Sequence, residues 1–422
     1  MKNFTIKELT KVSGLNRTDI KKHLIAQTLK NKPSTSKGYF IDQDELNRWL
    51  QELSNFNFEK INSMFNCVDE SYSIKSDEYY ESVIDISKLS DNWATNNLNG
   101  IKFADFFCGA GGLSLGLVMA GMEPILGVEN NESIYKTYQN NLGKRFSNLN
   151  CFNAMDITND ETKKSIIDYL KGQDIKIICG GFPCQGFSCS GSRVISDARN
   201  TLYSDMLDIV KAVKPEYIIM ENVLGLMTIY EGKVLRKILS DYRSAGYKLS
   251  YKEINAADYG VAQMRKRIIF IGNRIGKKNV YPAKLIEDPN NYIPCGAILE
   301  KYKNLKEDIS FNHIFSKHSP EMQQRLLSVP EGKCLYSNYN DSWKKCPKDK
   351  PSCTIKGNHG ATNIHYELPR VITPREMAAL QSFPDDYIFY GTKHSQLLQI
   401  GNAVPPYVAR AIGLALLKEI QN

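Results

Sequence analysis

The chain has 422 residues and a formal net charge of +8, and this length predicts two or three domains. Hydrophobic residues make up 42% and charged residues 24% of it, which is typical of a globular protein and excludes a fibrous or largely disordered one. It has no uninterrupted apolar run of about 18 residues that could span a membrane, no signal-peptide pattern, and no Cys-x-x-Cys pair among its ten cysteines. We therefore expect a cytoplasmic protein with free thiols and no metal site.

Basic and acidic residues are distributed unevenly along the chain. Residues 1–41 contain nine Lys/Arg and two acids, residues 61–98 contain two Lys and seven acids, and residues 274–367 contain fifteen Lys/Arg and ten acids. Two basic segments separated by an acidic one favour a polyanionic partner, such as nucleic acid, that is contacted at two places. Ordinary solvated surface would give the same counts, so charge alone leaves the partner open.

Residues 1–53 predict a small helical module. A first helix, a glycine-containing break and a basic helix over 19–28 follow one another in the order of a helix-turn-helix. A short strand at 37–41 and a third helix at 42–50 complete a pattern that resembles the winged helix-turn-helix of excisionase and MerR-like proteins. A generic helical hairpin is the alternative. Residues 54–100, rich in Asn, Ser and acids, are predicted to form an acidic linker.

From residue 101 onward apolar strands alternate with amphipathic helices, which predicts an α/β, doubly wound, Rossmann-like sheet that is mostly parallel. The predicted strands are 102–107, 125–129, 176–179, 217–220 and 267–272. Helices are predicted near 113–120, 132–141, 160–171, 202–213 and 233–244. The alternation stops over 274–369, which we expect to form a smaller domain, and it resumes weakly over 370–422.

The turn after the first strand of this sheet, residues 107–112, is rich in glycine and lets the backbone approach a ligand. A dinucleotide fingerprint requires a third glycine where this chain has Ser114, so NAD is disfavoured. Glu129 ends the second strand, where a carboxylate can bind both ribose hydroxyls, and Asp156-Ile157 suits an adenine amino group and ring face. A ribose and an adenine without a pyrophosphate cradle indicate S-adenosylmethionine.

A cysteine loop, Pro183-Cys184-Gln185, directly follows the strand that ends at Cys179, at the same sheet edge as the glycine turn. A lone cysteine is usually a small buried hydrophobe, but one in a Gly-Pro loop near arginines is better explained as an accessible thiolate. Glu221-Asn222-Val223 ends another strand at this edge, and the next strand opens with Arg265 and Arg267. Arginines there can bind a base oxygen or a phosphate, although alone such a cluster is usually a solvated rim.

These motifs together resemble those of DNA (cytosine-5)-methyltransferases. In chain order they are the glycine turn, Pro183-Cys184-Gln185, Glu221-Asn222-Val223, Gln263-x-Arg265-x-Arg267, Thr373-Pro374-Arg375-Glu376 and Gln399-Ile400-Gly401-Asn402. The resemblance covers about residues 101–422. It implies a catalytic domain at 101–273 that binds S-adenosylmethionine, a target-recognition domain at 274–369, and a C-terminal part at 370–422 that returns to the catalytic domain. It also implies an enzyme that acts on duplex DNA, is monomeric in catalysis, and can have a restriction endonuclease as its partner in the same system.

The resemblance also assigns roles to individual residues. Cys184 would add to carbon 6 of cytosine, Glu221 would act at N3 and on the exocyclic amine, and Arg267, with Arg265, would hold the carbonyl oxygen at position 2. The cofactor pocket would contain Phe107, Gly109, Gly111, Gly112, Glu129, Asp156, Ile157, Pro183, Leu202, Asn402 and Val404. DNA contacts are expected at Gln185, Ser188, Gln263, Arg274, Asn338, Asn340, Lys356 and Asn358. No side chain is an obvious base for the carbon 5 proton, and water is an alternative.

Two other functions fit parts of the pattern. A transfer RNA methyltransferase would use the same chemistry, but that branch carries Cys-Phe-Thr in its recognition segment, where this chain has Cys334-Leu335-Tyr336 and Cys353-Thr354-Ile355. A transcription regulator built on a decayed methylase would not need Cys184 and Glu221, both of which are intact. We therefore expect methylation of duplex DNA, and the sequence does not identify the recognised bases.

Overall fold

The computed structural model describes residues 2–4, 32–33, 39–41, 71–74, 93, 98–152, 155–183, 202–337, 343–357 and 363–421. The chain divides into two compact units, Met1–Val68 and Asp69–Asn422. In the first unit β1 (Lys2–Phe4), β2 (Lys32–Pro33) and β3 (Tyr39–Ile41) form an antiparallel sheet in the order β1-β3-β2. The strand predicted at 37–41 is thus present at its C-terminal end, while the predicted helices of this module lie outside the described residues.

The second unit is built on a seven-stranded sheet with the order β10-β12-β9-β8-β5-β6-β7. Its strands and the shorter ones around it are β4 (Ser71–Ile74), β5 (Lys102–Phe106), β6 (Glu123–Val128), β7 (Asn150–Phe152), β8 (Ile177–Gly180), β9 (Tyr217–Val223), β10 (Lys248–Asn255), β11 (Gln263–Met264), β12 (Lys266–Asn273), β13 (Asn279–Pro282) and β14 (Ser352–Cys353). The prediction of a mostly parallel sheet is confirmed, because only β12 runs antiparallel to its two neighbours.

Helices connect these strands and cover the sheet. They are α1 (Gly112–Met119), α2 (Glu132–Tyr138), α3 (Asp160–Lys171), α4 (Leu202–Val213), α5 (Lys233–Ser244), α6 (Cys295–Leu299), α7 (Pro320–Ser328), α8 (Pro374–Leu380), α9 (Lys393–Asn402) and α10 (Pro406–Gln421). Local sequence explains several starts: the Asn159 side chain caps α3 by accepting from the Thr162 N–H at 3.0 Å, and Thr373 and Glu376 form a capping box on α8.

The order of the strands creates a switch point beside β5, because β5 pairs with β6 on one side and with β8 on the other. Ligands bind doubly wound sheets at such a point, outside the carboxyl ends of the strands. The antiparallel β12 begins at this edge, with Arg267 opposite Val223, and ends at the far edge, with Asn273 opposite Tyr217. A candidate site must therefore use the ends of the parallel strands and the start of β12.

The C-terminal part packs against the first helix of the sheet. A Cβ atom at Gly116 of α1 would lie 2.2 Å from the Pro406 carbonyl oxygen, so only glycine allows α1 and α10 to come this close. The stretch Lys393–Gln421 is long and apolar enough to cross a membrane, but 78% of its most apolar window is buried inside the protein. It consists of two helices rather than one uninterrupted apolar run, as expected of helices in a protein core.

Two parts of the predicted linker, β4 and Trp93, are packed within this second unit. β4 pairs in parallel with β13, with Ser71 opposite Asn279 and Ile74 opposite Pro282. Trp93 is only 5% exposed and belongs to the main hydrophobic core. These parts of the predicted linker over 54–100 therefore belong to the same compact unit as the seven-stranded sheet.

The insert over 274–369 is joined back to the sheet by a short ladder. β11, just before β12, pairs in parallel with β14, placing Gln263 opposite Ser352 and Met264 opposite Cys353. The Thr354 hydroxyl also donates to the Met264 carbonyl oxygen at 2.7 Å. This ladder fixes the end of the insert next to the start of β12.

Candidate active site

The glycine turn after β5 is held in left-handed backbone conformations. Phe107, Gly109 and Gly111 have φ values of 55°, 55° and 87°, which glycine adopts freely and phenylalanine only at a cost in conformational energy. Among the described residues, a Cβ atom at Gly109 would meet only the Phe107 carbonyl oxygen, at 3.9 Å. The turn therefore presents open backbone at the switch point of the sheet.

Gly112 allows the C-terminal segment to return to this turn. A Cβ atom at Gly112 would lie 2.1 Å from the Val404 carbonyl oxygen, so any other residue would push the two segments apart. Val404 is buried, whereas Asn402 is exposed at the end of α9. The structure thus brings two of the predicted cofactor residues, Gly112 and Val404, into direct contact.

Glu129 follows β6 and is tied to the glycine turn. Its carboxylate accepts from the Gly109 N–H at 3.1 Å and from the Asn131 N–H at 3.0 Å. Burial raises the pKa of Glu129, and these backbone donors partly offset that effect. A carboxylate held in this way beside open backbone suits hydroxyl groups of a ribose.

The loop after β7 lies beside Glu129, because the Met155 N–H donates to the Glu129 carbonyl oxygen at 3.1 Å. The Asp156 carboxylate is exposed and accepts from the Thr158 N–H at 2.9 Å. Ile157 is 3% exposed and supplies an apolar surface. Hydrogen bonds therefore join Gly109, Glu129 and this loop at one edge of the sheet, and their donor and acceptor groups are of the kinds that S-adenosylmethionine needs.

The residues that lead into the cysteine loop follow β8. β8 ends at Gly180, and the Phe182 carbonyl oxygen accepts from the Asn222 side chain at 3.1 Å. This bond fixes the half-buried Pro183 next to the end of β9. Cys184, Gln185 and Ser188 lie outside the described residues. Leu202, at the start of α4, is half-buried.

Glu221 and Arg267 form the ion pair of the site. The Arg267 Nε atom lies 3.0 Å from Glu221 Oε1, and the two side chains are 17% and 11% exposed. The N–H is not directed at this oxygen, and among the described residues Glu221 Oε1 accepts no hydrogen bond. The pair thus holds a carboxylate and a guanidinium side by side, largely shielded from solvent, where β9 ends and β12 begins.

Arg265 has a different environment from Arg267. It is 1% exposed and donates to the carbonyl oxygens of Ile355 at 3.3 Å and of Gly401 and Ala403 at 3.0 Å each. Burial, and secondarily the Arg267 charge, lower the pKa of Arg265 to about 9. Of the two predicted catalytic arginines, the structure places only Arg267 beside Glu221, and Arg265 instead joins the insert to the C-terminal part.

Gln263, expected to contact DNA, is fully buried. Its amide donates to the Gln381 side chain at 3.1 Å and accepts from the Ile355 N–H at 2.8 Å. This corrects the sequence expectation, because a side chain with both polar groups bonded in the interior cannot reach a nucleic acid. Alternation along a strand would place Gln263, Arg265 and Arg267 on one face, but the strand is interrupted at Arg265.

The predicted DNA contact at Arg274 is also wrong, because Arg274 lies far from the candidate site. It follows the end of the antiparallel β12, and its N–H and guanidinium donate to Glu216 and Lys214 just before β9. Six residues of strand separate it from Arg267, a distance of about 20 Å. Arg274 therefore lies at the far edge of the sheet, away from the candidate site.

Lys356 is the one predicted base-reading residue that the structure describes near the site. It is exposed and follows Ile355, whose backbone is bonded to both Gln263 and Arg265. Asn338, Asn340 and Asn358 lie outside the described residues.

A buried chain of polar side chains, which no sequence motif predicted, lies beneath the glycine turn. The Ser114 hydroxyl donates to Asp105 at 2.6 Å and lies 2.9 Å from the Tyr138 hydroxyl. Burial raises the pKa of Asp105 to about 7. The only sequence signal for this pair is that Asp105 and Ser114 fall at buried positions of β5 and α1. Their hydrogen bond joins the strand before the glycine turn to the helix after it.

The doubly wound sheet has open backbone, a carboxylate and an apolar loop at its switch point, an arrangement that suits a methyltransferase using S-adenosylmethionine. Residues 101–418 match the family of C-5 cytosine-specific DNA methylases. The chain belongs to this family, and it is an enzyme that methylates carbon 5 of cytosine in DNA.

Individual relatives agree with this assignment. The chain is 34% identical over 334 residues to Type II methyltransferase M1.HphI of Haemophilus parahaemolyticus, covering 76% of this chain and 88% of that protein. It is 31% identical to Type II methyltransferase M.Sau96I of Staphylococcus aureus, covering 85% of this chain and 82% of that protein. A prophage-encoded DNA modification methyltransferase of E. coli has a similar structure, with a TM-score of 0.62 at 26% identity over 76% of this chain and 100% of that chain.

Proposed function

We propose that this enzyme is the modification methylase of a restriction-modification system and that it methylates cytosine within one duplex DNA sequence. The relatives described above are named Type II methyltransferases, which supports this role and a cognate restriction endonuclease in the same system. We place the enzyme in the cytoplasm, on DNA, and expect it to act as a monomer. The buried Glu221–Arg267 ion pair, where β9 ends and β12 begins, carries the proposal.

The proposed chemistry uses three side chains. Bound S-adenosylmethionine supplies an electrophilic methyl group. The Cys184 sulfur adds to carbon 6 of cytosine, which makes carbon 5 nucleophilic. Glu221 donates a hydrogen bond or proton at N3 and accepts one from the exocyclic amine, while Arg267 holds the carbonyl oxygen at position 2. After methylation a base removes the carbon 5 proton and the Cys184 sulfur leaves.

Recognition of the amine by Glu221 also explains a preference for cytosine over thymine. Thymine presents a carbonyl oxygen where cytosine presents an N–H group, and this oxygen would face the buried carboxylate. A site built around a hydrogen bond discriminates strongly against a base that lacks the donor. The base must leave the duplex to reach this edge, and we propose that Gln185 and Ser188 fill the vacated space or contact phosphates.

Methyl transfer to different nucleic acids tests the proposed substrate. We expect label from S-adenosylmethionine to enter duplex DNA and not transfer RNA, and bisulfite sequencing of DNA from an expressing host should show methylcytosine at one short sequence. Transfer RNA serves as the control because a transfer RNA enzyme would share the catalytic residues. Labelling of transfer RNA alone would refute the proposal.

We propose that residues 274–369 select the target sequence. The ladder between β11 and β14 fixes the end of this segment at the start of β12, and Lys356 is exposed there. Transplanting 274–369 from a relative with a different target should therefore transfer that relative's target, as read by bisulfite sequencing. Recipient and donor enzymes are the controls, and a folded, active chimera that keeps the recipient's pattern would contradict the assignment.

We propose that residues 1–53 form a winged helix-turn-helix that makes a second DNA contact, through its basic helix at 19–28. Residues 1–41 carry nine Lys/Arg against two acids, which supports an anionic partner. This contact could repress the enzyme's own operon or add non-specific affinity. Footprinting at different salt concentrations distinguishes the two, because a phosphate-only contact is salt-sensitive and has no preferred sequence.

A further inference from the structure

Trp93 lies outside the residues that match the family, which begin at 101. Its side chain is nevertheless buried and hydrogen-bonded. Its ring is 5% exposed, and its Nε1–H donates to Asp386 Oδ1 at 2.8 Å. The Arg145 guanidinium lies 4.2 Å from the indole centroid and also forms an ion pair with Asp386. The indole is therefore fixed by a hydrogen bond on its edge and a cation on its face.

The residue beneath Trp93 leads directly to the glycine turn. The Trp93 and Tyr387 rings have centroids 6.0 Å apart, and Tyr387 is fully buried. The Tyr387 hydroxyl donates to the Ala110 carbonyl oxygen, between the two left-handed glycines. Trp93, Tyr387 and Ala110 thus form a chain of direct contacts from the segment before the family match to the candidate cofactor site.

The turn has little room to tolerate a shift of Tyr387. A Cβ atom at Gly111 would lie 2.6 Å from the Tyr387 hydroxyl oxygen and 2.9 Å from Leu142 Cδ1. The turn also contains Phe107 in a left-handed conformation, which persists only where surrounding contacts maintain it. Loss of the Trp93 ring would remove a packing contact from one side of the Tyr387 ring. Tyr387 could then shift, and the glycine turn that it holds could change its backbone conformation.

We propose that Trp93 is a positioning residue for the cofactor turn. Its docking holds Tyr387 and Ala110, and through them the Gly109 backbone that binds Glu129, in the arrangement that accepts S-adenosylmethionine. This inference rests on the proposed assignment of Gly109 and Glu129 to the cofactor. Because coupling is reciprocal, cofactor binding also stabilises the docked indole.

The test compares cofactor affinity in the full-length variants Trp93→Ala and Trp93→Phe. We expect Trp93→Ala to raise the Kd for S-adenosylmethionine about tenfold, within the usual range of coupling between sites, and Trp93→Phe to give a smaller rise. The KM for duplex DNA should stay within about twofold, because the chain of contacts leads to the turn and not to the insert. Isothermal calorimetry gives the Kd, and steady-state kinetics separates the two KM values.

Ile238→Ala is the matched control for instability, since Ile238 is fully buried on α5 at the opposite end of the sheet. It should lower the thermal midpoint and leave the cofactor Kd unchanged. If Trp93→Ala also lowered the thermal midpoint and left the cofactor Kd unchanged, the inference would be overturned. If Trp93→Ala does not fold, the same outcome for Trp93→Phe would overturn it. Glu129→Gln tests the underlying assignment: if it weakens cofactor binding and the Trp93 variants do not, only the role of Trp93 fails. If Glu129→Gln also has no effect, the assigned cofactor site is wrong.

Discussion

Replacing Cys184 by serine should lower methyl transfer more than about a thousandfold, the scale seen when an enzyme loses its nucleophile. A serine hydroxyl is almost entirely protonated near neutral pH, whereas a thiol in a suitable environment supplies thiolate. DNA binding should persist because the substitution removes no charged DNA contact. Labelled methyl transfer and a gel-shift assay measure the two properties on the same preparation.

Cys189→Ser is the control for Cys184→Ser, since it makes the same chemical change five residues further along the chain. We expect it to remain active. DNA that carries 5-fluorocytosine adds a positive test, because fluorine cannot be removed as a proton and the wild-type adduct should be trapped. Near-normal turnover by Cys184→Ser would show that another group attacks the base.

Replacing Glu221 by glutamine should reduce kcat by about 10²- to 10⁴-fold, the contribution usual for a general acid or base. Glutamine keeps the size of the side chain but cannot give a proton to N3. It also removes the anionic partner of Arg267, 3.0 Å away. Single-turnover methylation at saturating DNA and cofactor measures the chemical step apart from binding.

Glu253→Gln is the matched control for this prediction. Glu253 is a carboxylate on the neighbouring β10, paired with Lys266 at 2.7 Å next to the start of β12. Its substitution should change kcat less than about twofold, because exposed ion pairs contribute little. If Glu221→Gln and Glu253→Gln both retained at least half of the wild-type kcat, the proposed role of Glu221 at N3 would be excluded.

The helices of the sheet could be predicted well from the sequence, but β10 and the reversed direction of β12 could not. α3, α4 and α5 have the predicted bounds, since each combines helical apolar spacing with clear ends. β10 was missed because Lys252 and Glu253 interrupt its apolar pattern, as is common at a sheet edge. Buried parallel and antiparallel strands have the same apolar runs, so the reversal of β12 was not visible.

The candidate site was only partly predictable for a related reason. The order of motifs identified Glu221 and Arg267, which the structure brings together. The same spacing suggested similar roles for Gln263 and Arg265, but their buried hydrogen bonds depend on contacts with residues 90 to 138 positions away. Trp93 gave no signal because the aromatic residues of the acidic segment 54–100 follow no helical or strand periodicity.

The short β11–β14 ladder has a consequence for how such enzymes can change over time. The insert leaves the sheet at the far end of β12 and is anchored again where Ser352 bonds to Ala262, at 3.0 Å. For an exposed loop between these anchors, doubling its length costs only about 0.6 kcal/mol in closure entropy. We therefore expect insertions and deletions in such loops to leave Arg267 in its position, and under the proposed role of residues 274–369 they would change the target sequence without loss of the chemistry.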